Sequence, residues 1–259
     1  MAALDLVLVE HSGSTCTVTL NRPEARNALS QDLNRELMAA VADADDDPGV
    51  AVILLTGAGG SFCAGMDLKE LSARGFSGSE KTENCIDRVA VCATPVIGLV
   101  DGPAVTGGFE LALACDFLIA STTARFADTH SRIGIVPGGG LTGRLAEAVG
   151  VRRARHLSAT GQYLDSATAL AWGLVNQVVE PTALHDRGLA VAEAFTAADS
   201  ATLQQIWSLY DGLSDDGIVE ALTREAETNR AWTAEVAAVA QSTASVLEHG
   251  RSQTAHDGR

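Results

Sequence analysis

Two short segments have the residue types needed to hold a reacting oxygen atom. SFCAGMDLK (residues 61–69) and TGGFEL (residues 106–111) each place a glycine-bearing turn after an apolar run and before a predicted helix. A helix start presents backbone N–H groups without partners inside the helix, and these groups favour negative charge. Amides from two separate turns therefore predict a site that stabilises an oxygen as it gains negative charge.

Glu110 is the carboxylate that belongs with these turns. It follows Gly107 by three residues, within one helical turn, and it lies in the apolar stretch 109–114. A charged side chain in such a stretch is either paired with a cation or kept for chemistry. We therefore expect Glu110 to act in the reaction.

Each of these features also has a less specific interpretation. The glycines of residues 57–65 are compatible with an ordinary surface loop, and Gly107 and Gly108 with close packing of a helix on a strand. His130 lies in a polar segment, DTHS (residues 128–131), and by itself is typical of a solvated loop side chain. The GGGLTG motif (residues 138–143) has the spacing of a dinucleotide-binding turn. Pro137 interrupts the strand that such a turn requires, so we reject that interpretation.

The elements that position these residues alternate in type. Apolar or alternating runs predict strands at 6–10, 15–20, 50–56, 96–100, 116–120 and 174–179. Ser30 is a predicted N-cap for a helix to about residue 44, and helical patterns follow at 67–74, 79–92, 107–114, 141–149, 152–159 and 166–172. Beyond Pro181 only helical periodicity remains. The pattern predicts an α/β core over residues 1–197 and a helical region over 198–259.

Composition excludes several classes of protein. The 259-residue chain is 46% hydrophobic and carries a formal net charge of −15, which argues against nucleic acid as a partner. No apolar run reaches the ~20 residues that span a bilayer, and the N-terminus has no signal-peptide pattern. The five cysteines include no Cys-x-x-Cys pair, so we expect reduced thiols, no metal site and a cytoplasmic protein.

The chain resembles the enoyl-CoA hydratase/isomerase (crotonase) family. The resemblance rests on five segments that occur in the family's order and cover residues 1 to about 200. They are NRP…NAL (21–29), FCAGMDL (62–68), DGPA…GGFEL (101–111), FA…GIVPGGG (126–140) and ALAWGLV (169–175). The resemblance implies an α/β fold, a crotonase-like spiral of ββα units. It also implies a C-terminal helical trimerisation region, and therefore a homotrimer or a hexamer.

The resemblance also implies a ligand and its contacts. The ligand is an acyl-coenzyme A thioester, with no other cofactor. The family's two oxyanion-hole amides correspond to Met66 and Gly107. Its contacts to coenzyme A and substrate correspond to positions in and before the first turn, namely Arg26, Ala28, Ala64, Asp67, Leu68 and Lys69.

The second acid–base position departs from the family pattern. Hydratases of the family use two glutamates; the first corresponds to Glu110, but the second corresponds to His130. Histidine can give or take a proton near neutral pH, so we predict that His130 orients the attacking water or protonates the substrate. The favoured function is hydration of 2-enoyl-CoA to 3-hydroxyacyl-CoA. The alternatives are an enoyl-CoA double-bond isomerase and an acyl-CoA-binding protein without catalysis.

Overall fold

The computed structural model describes residues 5–67, 69–70, 84–195 and 198–211. The described strands are β1 (Val7–Ser12), β2 (Thr15–Leu20), β3 (Val52–Gly57), β4 (Val96–Val100), β5 (Pro103–Val105), β6 (Phe117–Ser121), β7 (Arg125–Ala127), β8 (Leu164–Asp165) and β9 (Gln177–Val179). The described helices are α1 (Gln31–Asp46), α2 (Cys85–Ala90), α3 (Gly107–Leu113), α4 (His130–Ile133), α5 (Leu141–Val149), α6 (Val151–Thr160), α7 (Ser166–Trp172), α8 (Leu184–Phe195) and α9 (Ser200–Asp211).

A six-stranded sheet forms the centre, in the order β1-β2-β3-β4-β6-β9. β1 and β2 are antiparallel, and every other neighbouring pair is parallel. Side chains alternate across the strands, so Ile53 and Leu55 pack into the larger core cluster while Leu54 packs into the smaller one with α8. Because both faces are covered, β3 and β4 appear in the sequence as continuous apolar runs.

Local sequence signals explain the start of α1. The Ser30 hydroxyl accepts a hydrogen bond from the Leu33 N–H at 3.2 Å, which confirms the predicted N-cap. Leu33, Leu37 and Val41 are buried along one face of the helix, as the periodicity predicts. The helix continues to Asp46, two residues beyond the prediction.

A second, three-stranded sheet was not predicted from the sequence. It has the order β5-β7-β8. Its strands are only two or three residues long, which is too short for an alternating apolar and polar pattern to be recognised. β5 and β7 run parallel, with Val105 opposite Ala127. This pairing places the turn after β5 beside the segment after β7, where His130 lies.

One predicted boundary and one predicted environment differ from the structure for identifiable reasons. β9 begins at Gln177 rather than 174, because Gly173 at φ +83° ends α7 and the Leu174 N–H donates back to the Ala169 carbonyl. His130 is not a solvated loop residue: it is the first residue of α4 and only 5% exposed. Its burial depends on contacts distant in sequence, which a polar segment of four residues does not reveal.

The chain divides into two units, Met1–Ser200 and Ala201–Arg259. The helical region expected over 198–259 is described only through Asp211, and the predicted helices over 67–74 and 79–92 only at residues 67, 69–70 and 84–92. In the part of the chain that is described, no helix is both long and apolar enough to cross a bilayer.

Candidate functional site

The two glycine-bearing turns lie side by side. Leu29 forms a parallel bridge with Met66: its N–H donates to the Gly65 carbonyl at 2.8 Å, and its carbonyl accepts from the Asp67 N–H at 3.1 Å. In such a bridge the middle residue directs its own N–H and C=O away from the partner strand. A Cβ placed on Gly107 would lie 3.5 Å from the Met66 nitrogen. Residues 66 and 107, predicted to supply the two amides, are therefore neighbours.

The second turn is bonded directly to the first. The Cys63 N–H donates to the Pro103 carbonyl, and the Val105 N–H donates to the Cys63 carbonyl, both at 3.0 Å. Gly108 then passes so close that a Cβ on it would lie 2.1 Å from the Cys63 carbonyl oxygen. A side chain there is sterically impossible without moving one turn, so this glycine serves close packing. The packing interpretation is therefore confirmed for Gly108, and it is compatible with the functional one.

Thr106 gives the second turn its shape. It has φ +54° and ψ −113°, a region that a β-branched residue rarely occupies. Its N–H donates to the Ala127 carbonyl at 2.9 Å, and its hydroxyl shares a 2.5 Å hydrogen bond with the Thr129 hydroxyl. These two bonds hold the residue in the strained conformation from which α3 begins at Gly107. The sequence carries no signal of this arrangement, since threonine is an unexpected residue at positive φ.

The first turn is anchored by side chains before and after it. Asn27 is fully buried; its Nδ2 donates to the Ala58 and Ser61 carbonyls at 2.9 and 2.6 Å. Arg22 pairs with Asp67, Nη1 to Oδ2, at 2.6 Å. The hydrogen bond from Arg22 holds the pKa of the Asp67 carboxyl below its usual value. The Asp67 side chain thus stabilises the turn, which is a role that the sequence-based assignment to ligand binding did not anticipate.

The other predicted ligand contacts surround this turn. The Ala64 N–H donates to the Arg26 carbonyl at 3.0 Å, and the Ala28 carbonyl accepts from Arg22 Nη1 at 3.1 Å. The side chains of Arg26 and Lys69 are exposed. Leu68 lies outside the described residues. So do residues 71–83.

Three buried ionisable side chains meet at the start of α3. Glu110 is 4% exposed, His130 5% and Asp128 1%. His130 Nε2 lies 3.6 Å from Glu110 Oε2, and His130 Nδ1 lies 2.7 Å from Asp128 Oδ1. The structure thus brings together the two predicted catalytic residues, and adds an aspartate that the sequence reasoning missed. The Asp-x-His spacing was the available signal for it.

The carboxylates determine the protonation state of the histidine. Burial by itself lowers the pKa of His130, but the hydrogen bond to Asp128 and the negative charges of Asp128 and the nearby Glu110 raise it to about 9. Burial by itself raises the pKa of Asp128, but the hydrogen bonds from His130, with a contribution from the Ser158 side chain, hold it below its usual value. At neutral pH the site therefore contains an imidazolium that can donate a proton, held by an ionised Asp128.

The glycine-rich segment before α5 completes the surroundings of Glu110. The Gly139 N–H donates to Glu110 Oε1 at 2.8 Å, and a Cβ on Gly139 would lie 3.0 Å from Oε2. Arg144 donates to the Gly139 carbonyl at 2.7 Å, which holds the segment against the site. The segment that resembles a dinucleotide-binding motif therefore positions a carboxylate. Glu110 keeps one oxygen fixed by an amide and the other towards His130.

Comparisons with known proteins give similar sequences and a similar fold. The family model for enoyl-CoA hydratase/isomerase matches residues 10–253. The chain is 38% identical to the probable peroxisomal enoyl-CoA hydratase 1 of Arabidopsis thaliana, over 86% of this chain and 84% of that protein. It is 41% identical to a probable enoyl-CoA hydratase of Rhizobium meliloti, over 73% of this chain and 74% of that one. A crystal structure of enoyl-CoA hydratase from Bacillus anthracis superposes with a TM-score of 0.81 at 30% identity, over 87% and 90% of the two chains. The predicted fold is confirmed.

Proposed function

Because the chain belongs to the enoyl-CoA hydratase/isomerase family, we propose that it is a hydro-lyase that adds water to a 2-enoyl-CoA. The observation that carries the proposal is the buried pair of Glu110 and His130, 3.6 Å apart, next to two adjoining turns. A base and an acid at that separation can serve the two proton movements of hydration. The backbone N–H groups of the turns can stabilise the negative charge that develops on the substrate between these proton movements.

In the proposed reaction, the thioester carbonyl accepts hydrogen bonds from the Met66 and Gly107 amides. Negative charge grows on that oxygen as the enolate forms. Removing one comparable donor in other enzymes costs about 2.7–4 kcal/mol of transition-state stabilisation. Gly107 is the first residue of α3, so its N–H has no acceptor within the helix, and the helix dipole adds to the favourable potential.

Glu110 acts as the general base of this reaction. One carboxylate oxygen takes the proton from the water whose oxygen attacks C3, while Oε1 stays fixed by the Gly139 N–H. His130, as an imidazolium, donates its Nε2 proton to C2 when the enolate collapses. The proton on Glu110 then passes to His130 across their 3.6 Å separation, and the site returns to its starting state with one water added.

The surface beside the first turn is proposed to receive the coenzyme A portion. Arg26 and Lys69 are exposed cations in a chain with a net charge of −15. Local cations are what an acidic protein needs to attract the phosphates of coenzyme A. We assign the backbone around Ala28, Ala64, Asp67 and Leu68 to the same contact.

The assembly and location are part of the proposal. A homotrimer, or a hexamer of two trimers, is expected from the family resemblance, and light scattering on the purified chain tests it directly. The five cysteines are free thiols, which supports a reducing compartment such as the cytoplasm. The proposed steps use only groups of this chain and the acyl-CoA, so no further cofactor is expected.

One assay tests the proposal against its alternatives. Crotonyl-CoA and a 3-enoyl-CoA are supplied separately, and the absorbance of the conjugated thioester is followed. Hydration consumes absorbance with crotonyl-CoA, and the product is 3-hydroxybutyryl-CoA. A gain of absorbance with the 3-enoyl substrate and no loss with crotonyl-CoA would replace the proposal with an isomerase. No change with either substrate, together with measurable acyl-CoA binding, would leave a binding protein.

A further inference from the structure

We infer that Asp128 is the positioning residue of this site: it holds the His130 ring in one orientation, with Nε2 as the proton donor beside Glu110. The kinetic part of this inference rests on the proposed hydration, whereas the arrangement itself does not. The role belongs to a third buried residue, contributed by the segment that joins β7 to α4.

A single carboxylate oxygen fixes both the backbone and the ring of His130. Asp128 Oδ1 accepts from the His130 N–H at 3.1 Å and from ring Nδ1 at 2.7 Å. An ionised carboxylate can accept hydrogen bonds but cannot donate them. Nδ1 is therefore the donor of this bond and carries a proton. Nε2 is then the nitrogen that faces Glu110 Oε2, and rotation of the ring would break the shorter bond.

The groups packed around His130 support the same orientation. Glu110 faces it from α3, and Asp128 faces it from the end of β7. On the side of α6, the uncharged Ser158 side chain helps to hold the pKa of the Asp128 carboxyl below its usual value. The two carboxylates thus lie on opposite edges of the imidazole and favour its protonated form. His130 then begins each cycle as an acid, and Glu110 as a base.

With this arrangement every proton is accounted for over one reaction cycle, and Asp128 stays ionised throughout. The water oxygen bonds to C3 as its proton moves to Glu110, and the electron pair of the C2–C3 double bond passes to the thioester oxygen. The pair returns to C2 and takes the proton from His130 Nε2. Glu110 then returns its proton to Nε2, while Nδ1–H stays bonded to Asp128 throughout.

Nuclear magnetic resonance on histidine-labelled protein tests the arrangement without substrate. The His130 ring signals are identified by their loss in His130→Gln, and titrated in wild type, Asp128→Asn, Asp128→Glu and Asp165→Asn. Asp165 also accepts a backbone N–H, from Thr168 at 2.7 Å, but has no contact with His130, so it is the matched control. We expect Asp128→Asn to lower the His130 pKa by at least about one unit, since a carboxylate partner within ~4–6 Å favours the charged form. Asp128→Glu should recover part of the shift, and Asp165→Asn should leave it unchanged.

Steady-state kinetics test the consequence for turnover. Loss of an oriented acid should reduce the kcat of Asp128→Asn by on the order of 10²-fold, with KM changed by less than ~3-fold. The alkaline limb of its pH–rate profile should move to lower pH, and Asp128→Glu should restore part of the rate. If the His130 pKa is the same in the wild type and in Asp128→Asn, and both proteins are folded, the inference is overturned. A wild type inactive on enoyl-CoA would instead remove the proposed function, and the titration would still decide the arrangement.

Discussion

Glu110 Oε2 and His130 Nε2 lie 3.6 Å apart, and each side chain is more than nine-tenths buried. Two carboxylates at this distance would repel, and one of them would be forced to stay protonated. A carboxylate and an imidazolium attract instead, so Glu110 favours the protonated form of His130.

Glu110→Gln should abolish most of the turnover while preserving the fold. The amide oxygen can still accept from the Gly139 N–H, so the segment before α5 keeps its partner. The amide cannot take a proton from water, so kcat should fall by at least ~10²-fold. Initial rates with crotonyl-CoA and thermal melting measure the two effects.

Glu36→Gln provides the control for this substitution. Glu36 Oε2 also accepts a backbone N–H, from Leu6 at 2.9 Å, but lies on α1 away from the site. Its variant should keep the wild-type rate. Near-normal turnover in Glu110→Gln would remove Glu110 from the role of base.

Gly139→Ala should reduce kcat by about 10-fold or more without unfolding the protein. The new methyl group would lie 3.0 Å from Glu110 Oε2 and 2.9 Å from Ile86 Cδ1, so the carboxylate must move. Displacement of a catalytic group by ~1 Å can cost about 10² in rate. Gly138→Ala is the matched control, since a methyl group there meets nothing within 4 Å. Equal kcat values in the two variants would contradict the proposed placement of Glu110.

Thr129→Val should destabilise the protein and slow the reaction. It removes the hydroxyl that bonds Thr106 and leaves Thr106 at φ +54° with one fewer restraint. We expect a loss of about 1 kcal/mol in the free energy of unfolding, and a lower kcat because the Gly107 amide is less firmly placed. Denaturant unfolding and initial rates measure these effects.

The double variant Thr106→Gly with Thr129→Val tests whether Thr129 acts through Thr106. Glycine adopts positive φ without steric conflict and has no hydroxyl for Thr129 to bond. In the Thr106→Gly background, Thr129→Val should therefore have a smaller effect on stability than in the wild type. Equal effects in both backgrounds would indicate that Thr129 acts independently of Thr106.

The free energy of unfolding should depend on His130 in a defined pH window. The folded protein raises the His130 pKa to about 9, above its ordinary value of about 6.5, so the folded state binds this proton more tightly. The resulting stabilisation, on the order of 3 kcal/mol, is complete below about pH 6.5 and is lost as pH rises through about 9.

Comparison of wild type with His130→Gln isolates this contribution. Denaturant unfolding at several pH values should give a difference in stability that is constant below about pH 6.5 and decreases towards pH 9. His156→Gln, which changes an exposed histidine on α6, should follow the wild-type dependence. A wild-type and His130→Gln difference that is independent of pH would show that His130 does not gain its proton on folding.

Local patterns in the sequence were sufficient for several elements and one site residue. The predicted limits are correct for β2, β4, α5 and α7. In each of these runs the periodicity and the flanking residues fit only one type of element. Glu110 was identifiable because a charge in an apolar stretch requires a partner or a function. The family resemblance added the correspondence of His130 with an acid–base position.

Tertiary structure decided what surrounds these residues. The parallel pairing of β5 with β7 joins segments about twenty residues apart, and it places Asp128, Thr129 and His130 against the turn at Thr106. Strands of three residues have no detectable period, and burial of a polar side chain depends on contacts that are distant along the chain. The sequence alone therefore determined the α/β core and the presence of a carboxylate near a glycine turn. Only the folded chain determined that a buried aspartate orients His130, because hydrogen bonding and burial are properties of the assembled neighbourhood.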